Sequence, residues 1–268
     1  KLGQHGSCTA ALAFGDNGNC RGYLLGKNPL ENDGRGEGMA QMFQMMNLAR
    51  METGHMAHCC IANAFYNARD YAKDRVQGRP FTNPRGDRVS IINHEDIRRT
   101  LIMGKAHMEA TRAMLMKALF NFDIREHDPD PDEKAKAQTY VEIVTPLCKA
   151  YPSDEGWWLC GEAIQAYGGY GFCEEYPAAQ IARDIKIYSI WEGTNFIQSL
   201  DLVGRKMGMD KGAAFAAFIQ EIKDFCAANK DTAGLEKEFL NLGKALEAYD
   251  KILATLVAWK GSNPALIP

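Results

Sequence analysis

The 268 residues carry 31 Lys and Arg against 34 Asp and Glu, a formal net charge of −3, and 46% are hydrophobic. That balance supports a sizeable core in one large or two smaller domains and argues against nucleic acid as the partner. The eight cysteines form no C-x-x-C pair and read as reduced thiols, no apolar run approaches the roughly 18–20 residues of a membrane span, and the N-terminus lacks signal-peptide form.

The chain opens on Lys1 rather than methionine, stops on "NPALIP", and is read as a piece of something longer. Its first 25 residues differ from the rest. "GSCTAALAF", "GDNGN" and "CRGYLLG" predict a β-hairpin turning at Asn17-Gly18. A Gly/Pro/Asn-rich linker, "GKNPLENDGRGEG", follows. From Met39 the helical period takes over for about 39 residues, a helix of roughly 58 Å. Met39, Met42, Phe43, Met46, Ala49 and Arg50 fall near i, i+3, i+4 and i+7. The methionines of this helix (Met39, Met42, Met45, Met46, Met51, Met56) are expected as an adaptable core stripe or as the lining of a pocket.

A loop runs from Gly78 to about Ile92. Asn93 is then expected as N-cap, with Asp96 completing a near capping box for a helix reaching about Phe122. "EHDPDPDE" breaks the chain. A third helix, about Asp132 to Ala150, should kink near Thr145 ahead of Pro146. Ser153 or Asp154 should cap a fourth helix that ends at the glycines of "QAYGGYG". Pro177 suits the first position of a shorter helix to about Ser189. Thr194 or Asn195 caps the next, through about Met207, and two more helices fill 211–229 and 232–259. The fold class is therefore mainly α, an up-and-down helical bundle behind a short N-terminal β-hairpin.

Several constellations carry chemistry. In "SIWEGTNFIQSLD", Glu192 sits between Trp191 and Gly193, just before a helix. One reading is an acid complementing a helix dipole, worth about 0.3–1 kcal/mol. The other is a general base in an apolar setting. "QAYGGYGF" is either a glycine cap or a loop whose bare backbone approaches a phosphate or flavin, with Gln165 supplying polar contacts. His55, His58 and Cys59 share neighbouring turns but lack a second ligand cluster, which favours a structural role over zinc. Arg50 and Arg75 lie 25 residues apart on one helix, roughly 38 Å, so they cannot share one small group.

Together these residues resemble the acyl-CoA dehydrogenase family. The likeness is densest in "AIQAYGGYGFCEEYPAAQIARDIKIYSIWEGTNFIQSLDLVGRK", which is similar to the family's Q-x-x-G-G-x-G, E-Y-P, R-D-x-K-I and I-Y-E-G-T-N-x-I-Q blocks in order. "MFQMMNLAR" and "DYAKDRVQG" resemble the long helix opening the family's C-terminal domain, and "KLGQHGSCTAALAF" the last strands of its middle β-domain. "MMNLAR", "RVQG" and "HEDIRR" look most like the large bacterial subgroup with a C-terminal extension, which includes methylthiopropionyl-CoA dehydrogenase-like enzymes.

The resemblance implies FAD-dependent α,β-dehydrogenation of an acyl-CoA thioester to a trans-2-enoyl-CoA, with Glu192 as the base that removes the α-proton. Some relatives carry the base on the long helix instead, just before the position of Arg50. Here that residue is Ala49, which cannot act as one. By the same resemblance Asn47, Arg50, Trp191 and Gly193 face the substrate, while Arg75, Gln77, Gln165, Gly168, Gly169, Thr194 and Asn195 contact FAD. Trp191 stands where a tyrosine is usual, and Phe196 where many relatives have a polar flavin contact. No metal is implied. Implied partners are the acyl-CoA, an electron-transfer flavoprotein or similar acceptor, and further copies in a homodimer or homotetramer, in a bacterial cytoplasm. The domains expected are residues 1–27 as the tail of the β-domain, 28–210 as the helical bundle, and 211–268 as part of the extension. The contrasting expectation is a helical assembly module without activity.

Overall fold

A computed structural model describes residues 1–263, 265 and 267, and within helix α1 the side chains of Ala40, Phe43 and Gln44 fall outside what is described. Among the described residues, seven α-helices follow one another: α1 (Gly38–Asp74), α2 (Glu95–His127), α3 (Pro131–Tyr167), α4 (Pro177–Ile185), α5 (Asn195–Gly204), α6 (Ala213–Asn229) and α7 (Glu236–Ser262). No membrane-spanning helix occurs among the described residues. The chain divides into two units, Lys1–Phe120 with Leu147–Thr194, and Asn121–Pro146 with Asn195–Pro268.

The first unit is built on α1. Its residues Ala57, Ile61, Ala64, Ala68 and Ala72 recur at helical spacing and are all buried. Leu101 and Met108 of α2, Leu159, Cys160 and Ala163 of α3, and Ile181 and Ile185 of α4 close over them. The many alanines keep side chains short, so helix axes approach closely. The tightest crossing lies at Gly54, where an added Cβ would stand 2.0 Å from the Cys148 carbonyl oxygen. That carbonyl is available because Pro152, four residues on in α3, has no N–H to donate to it.

Four expectations need correction. Residues 1–27 form no hairpin; Gly18 donates to the Gly15 carbonyl at 3.2 Å, and no ladder follows. Leu12, Phe14, Tyr23 and Leu25 are exposed, and a lone two-stranded hairpin without an apolar surface to cover is marginal in water. The helix end expected at about Ala150 is absent: α3 is continuous through Pro146 and Pro152 to Tyr167. The hydroxyls of Thr145 and Ser153 donate to the carbonyls of Val141 (2.7 Å) and Lys149 (2.9 Å), supplying bonds inside the turns that the prolines weaken. Asn93 does not cap α2, because it ends a 3₁₀ turn (Ile91–Asn93); the His94 carbonyl instead takes the first helical bond, from Arg98. Finally, Met39, Met42, Met45 and Met56 are exposed and only Met51 of the six methionines is fully buried. Among the described side chains of α1, burial starts at Arg50. The expectation for Phe43 lies outside the described side chains.

Pro177 opens α4 as expected, and a 3₁₀ stretch (Lys186–Ser189) carries it on. In the second unit, Phe215 of α6 is buried and stacks near Phe218 and Tyr249, while Lys206 makes an ion pair with Glu142.

Candidate functional site

Glu192 stands on a turn held under local strain. After the 3₁₀ stretch, Ile190 and Trp191 both donate to the Ile187 carbonyl, at 2.9 and 3.0 Å. The chain then adopts left-handed backbone twice, at Glu192 (φ 54°) and Gly193 (φ 81°). Glycine accepts this freely, but a glutamate does so at a cost of about 1–2 kcal/mol. Such a conformation persists only where surroundings hold it; Gln4, Asp33, Asp210 and Lys211 share it among the described residues. What holds it here includes Arg50, 4% exposed on α1, whose Nε donates to the Glu192 carbonyl at 3.4 Å. Trp191 packs beside Tyr188 with ring centroids 5.8 Å apart and remains 39% exposed. The Tyr188 hydroxyl accepts from Gln4 at 2.9 Å, tying the N-terminal residues to this end of the unit.

Arg50 and Asn47 lie one turn apart on α1, and Thr53, one turn further, donates its hydroxyl to the Ala49 carbonyl. Glu192 is half-buried, as are Asn47 and Gly193. Thr194 is exposed, and the half-buried Asn195 begins α5.

Lys149 is a residue that sequence reasoning missed. Its side chain is fully buried, at 0% exposure, among the largest side chains so enclosed. Burial pushes its ammonium down from the ordinary 10.5 to about 8, opposed by Asp154 and Glu192 and assisted by the neighbouring positive charge of Arg50. Of the two buried cations, Arg50 is the one bonded to the Glu192 turn.

Five of the seven residues expected to contact FAD line one cavity of about 710 Å³ at the far end of α1: Arg75, Gln77, Gln165, Gly168 and Gly169. Arg75 ends α1, its N–H bonded to the Tyr71 carbonyl, and its guanidinium lies 5.5 Å from the Tyr170 ring centroid. Tyr71 stacks on Tyr167 at 4.2 Å, forming an aromatic wall. His94 reaches the Gln77 carbonyl at 2.7 Å and also lines the cavity. Gly168 needs its positive φ of 62° to end α3. Gly169 is different, because its φ is ordinary and an added Cβ would meet nothing within 4 Å. Its bareness faces the open cavity rather than another part of the chain. An arginine, a histidine, an aromatic wall and bare backbone form a setting suited to a phosphate-bearing, planar ligand. Sequence reasoning missed His94, Tyr71 and Tyr170 because they come from three separate elements, and no one periodicity announces their shared face.

The histidines and the cysteine of this group divide between the surface, with His55 and Cys59 exposed, and the core, with His58 buried. His58 shares a 2.9 Å hydrogen bond with the Thr111 hydroxyl, itself donated to α2 carbonyls, and burial lowers the ring's proton affinity. His55 lies 3.8 Å from the Cys59 sulfur, and no metal-binding group of three ligands occurs among the described residues.

Residues 36–208 match the family model described as acyl-CoA dehydrogenase, C-terminal domain. A butyryl-CoA dehydrogenase of Syntrophomonas wolfei is 50% identical over 267 residues, which is 100% of this chain and 43% of that protein. A 3-methylmercaptopropionyl-CoA dehydrogenase of Ruegeria pomeroyi is 34% identical over 98% of this chain and 43% of its own length. The chain thus spans less than half of these curated relatives. In fold, it superposes on Caenorhabditis elegans ACDH-11 in complex with C11-CoA with a TM-score of 0.70, covering 86% of this chain and 36% of that one at 22% identity. The chain belongs to the acyl-CoA dehydrogenase family, by a match to its C-terminal domain.

Proposed function

We propose that the intact protein to which this chain contributes is a flavin-dependent acyl-CoA dehydrogenase, and that Glu192 is its base. The observation that carries this reading is the strained left-handed backbone at Glu192 on a turn bonded to a buried arginine. In the reaction, the α-C–H bond of an acyl-CoA thioester breaks and its proton passes to the Glu192 carboxylate. The β-hydrogen leaves with its electron pair and the α,β double bond forms, giving a trans-2-enoyl-CoA. FAD, when bound, supplies the acceptor for that hydride. Arg50 holds the turn from below, and Trp191 narrows the acyl slot beside the base. Asn47 and Gly193 lie on the substrate side. Hydrogen bonds to the thioester carbonyl stabilise the charge that develops as the proton leaves.

Arg75, Gln77, Gln165, Gly168 and Gly169 would hold the diphosphate and adenosine portions of FAD, with Thr194 and Asn195 nearer its ring system. The cavity at the end of α1 suits the first of these roles through its arginine and its bare glycine backbone. The names of the relatives, butyryl-CoA and 3-methylmercaptopropionyl-CoA dehydrogenase, point to a short acyl thioester as substrate class. An electron-transfer flavoprotein as acceptor, a homo-oligomeric assembly and a cytoplasmic site belong to the same reading, as does the division into residues 1–27, 28–210 and 211–268. In the intact enzyme, Glu192→Gln should abolish bleaching of the flavin near its ~450 nm band by acyl-CoA while FAD stays bound. Normal bleaching in that variant would falsify the assignment.

A further inference from the structure

Just past α1, Arg75, Gln77 and Gly78 contribute to the wall of the 710 Å³ cavity, on a stretch whose Val76 is exposed. The backbone of this stretch is tied at successive points. The Arg75 N–H donates to the Tyr71 carbonyl at 2.9 Å, and its own carbonyl accepts from Ile91 at 2.8 Å. The Gln77 N–H donates to the Val89 carbonyl at 3.0 Å, and the Gly78 carbonyl accepts from Val89 at 3.2 Å. These bonds amount to one isolated antiparallel bridge, Val76 with Ser90, and a pairing so short is marginal in water. A side chain reinforces it, because His94 Nε2 meets the Gln77 carbonyl at 2.7 Å. A carbonyl only accepts, so the proton sits on Nε2, and the bond survives whether the ring is neutral or charged. The fit is close. Gly78 has a φ of 72°, and a Cβ there would stand 3.3 Å from His94 Nε2. The same residue leads on into the cavity: Arg75 Nη2 donates to the Gln77 side-chain oxygen at 3.5 Å, and the guanidinium lies 5.5 Å from the Tyr170 ring centroid.

We propose that His94 is a positioning residue for the cofactor site: by holding the Gln77 carbonyl it fixes the strap from Arg75 to Gly78 and keeps the Arg75 guanidinium set for a phosphate. The inference rests on the reading of this cavity as the seat of the FAD diphosphate. The physical gain is preorganisation. A long side chain loses conformational freedom when it grips a ligand, and one already held in place has less to lose. His94 thus acts on the cofactor through Gln77 and Arg75. Two other roles make different predictions. A histidine that only steadied the loop would matter equally with or without the Arg75 guanidinium. A histidine that gripped the cofactor by itself would also add its effect independently of Arg75.

The test is the FAD affinity of the intact protein, measured by titrating its apo form with FAD and following flavin fluorescence. The variants are His94→Phe, His94→Ala, His94→Gln, Arg75→Ala, and each of the first two combined with Arg75→Ala. His94→Phe and His94→Ala should each weaken binding about tenfold, the worth of one hydrogen bond. His94→Gln, whose amide N–H can still reach the carbonyl, should return affinity to within about threefold of wild type. With Arg75 already replaced, removing the imidazole should cost less than about twofold more, because the group it positions is gone. The inference is overturned if the single His94 variants bind FAD like wild type, or if their full loss persists beside Arg75→Ala. His94 is half-buried and outside the core cluster, so truncation to alanine spares the core; should His94→Phe not fold, His94→Ala decides alone. Unchanged affinity in Arg75→Ala is a separate failure, that of the cofactor reading itself.

Discussion

Two glycines on helices of the first unit should respond to alanine in opposite directions. At Gly54 a Cβ would stand 2.0 Å from the Cys148 carbonyl oxygen, 2.9 Å from its carbon and 3.4 Å from a methyl of the fully buried Leu115. The first two obstacles are backbone, so no rotamer change relieves them. Reaching even 3.0 Å requires α1 and α3 to part by about 1 Å, which forfeits a quarter to a half of the dispersion attraction at that crossing. Overpacking of this kind costs about 1–3 kcal/mol or more, and the gain in helix propensity returns about 1 kcal/mol at most. Gly54→Ala should therefore lose about 2 kcal/mol. At Gly161, inside α3, a Cβ meets nothing within 4 Å, so Gly161→Ala should gain up to about 1 kcal/mol from propensity alone. Urea unfolding of the two variants, followed by far-UV circular dichroism, separates them. If Gly54→Ala matched or exceeded wild type, the account of the α1–α3 crossing would be wrong.

Three further outcomes are expected. Lys149 falls from 10.5 to about 8 on folding, so the unfolded chain binds more protons between those values and stability rises with pH there, by up to about 3 kcal/mol; urea midpoints at pH 7.5 and 10 should show this rise in wild type and not in Lys149→Met. At pH 8, Cys8, Cys20, Cys59 and Cys173 should react promptly with a thiol reagent, whereas Cys148, buried with its thiol pushed up to about 12, should wait for unfolding; prompt labelling of Cys148, mapped by mass spectrometry, would contradict its enclosure. In the intact flavoprotein, Arg75→Ala should weaken FAD retention by about 10- to 100-fold, the worth of a charged hydrogen bond, and unchanged retention on gel filtration would remove Arg75 from the cofactor's neighbourhood.

Helices were legible where an apolar face, a proline at the start or a glycine at the end marked them. α1 and α4 are the clearest cases, because alanines and isoleucines at helical spacing leave one possible inward face. α3 was misread because Pro146 and Pro152 are local breakers, while the compensation comes from the neighbouring hydroxyls of Thr145 and Ser153, a detail that spacing does not rank. The hairpin failed for the opposite reason: a turn forms, but around Asp16 and Asn17 rather than Asn17-Gly18, and the segment has no apolar surface to cover. At the site, the resemblance pointed to Glu192 and to the cavity glycines, yet Lys149 and His94 were passed over. Neither belongs to a motif, and their importance rests on what folding encloses around them.

Arg50 and Arg75 share α1, and their separation has a rotational as well as a linear meaning. At 3.6 residues per turn, 25 residues bring the helix to within about 20° of a whole number of turns. The helix is thus a gauge that fixes the distance and the bearing between the Glu192 turn and the large cavity. Removing one residue between the arginines would shorten the gauge by only about 1.5 Å but swing its far end by about 100°. Single-residue insertions and deletions should therefore be excluded from Met51 to Asp74, whereas many substitutions on its outward face should pass.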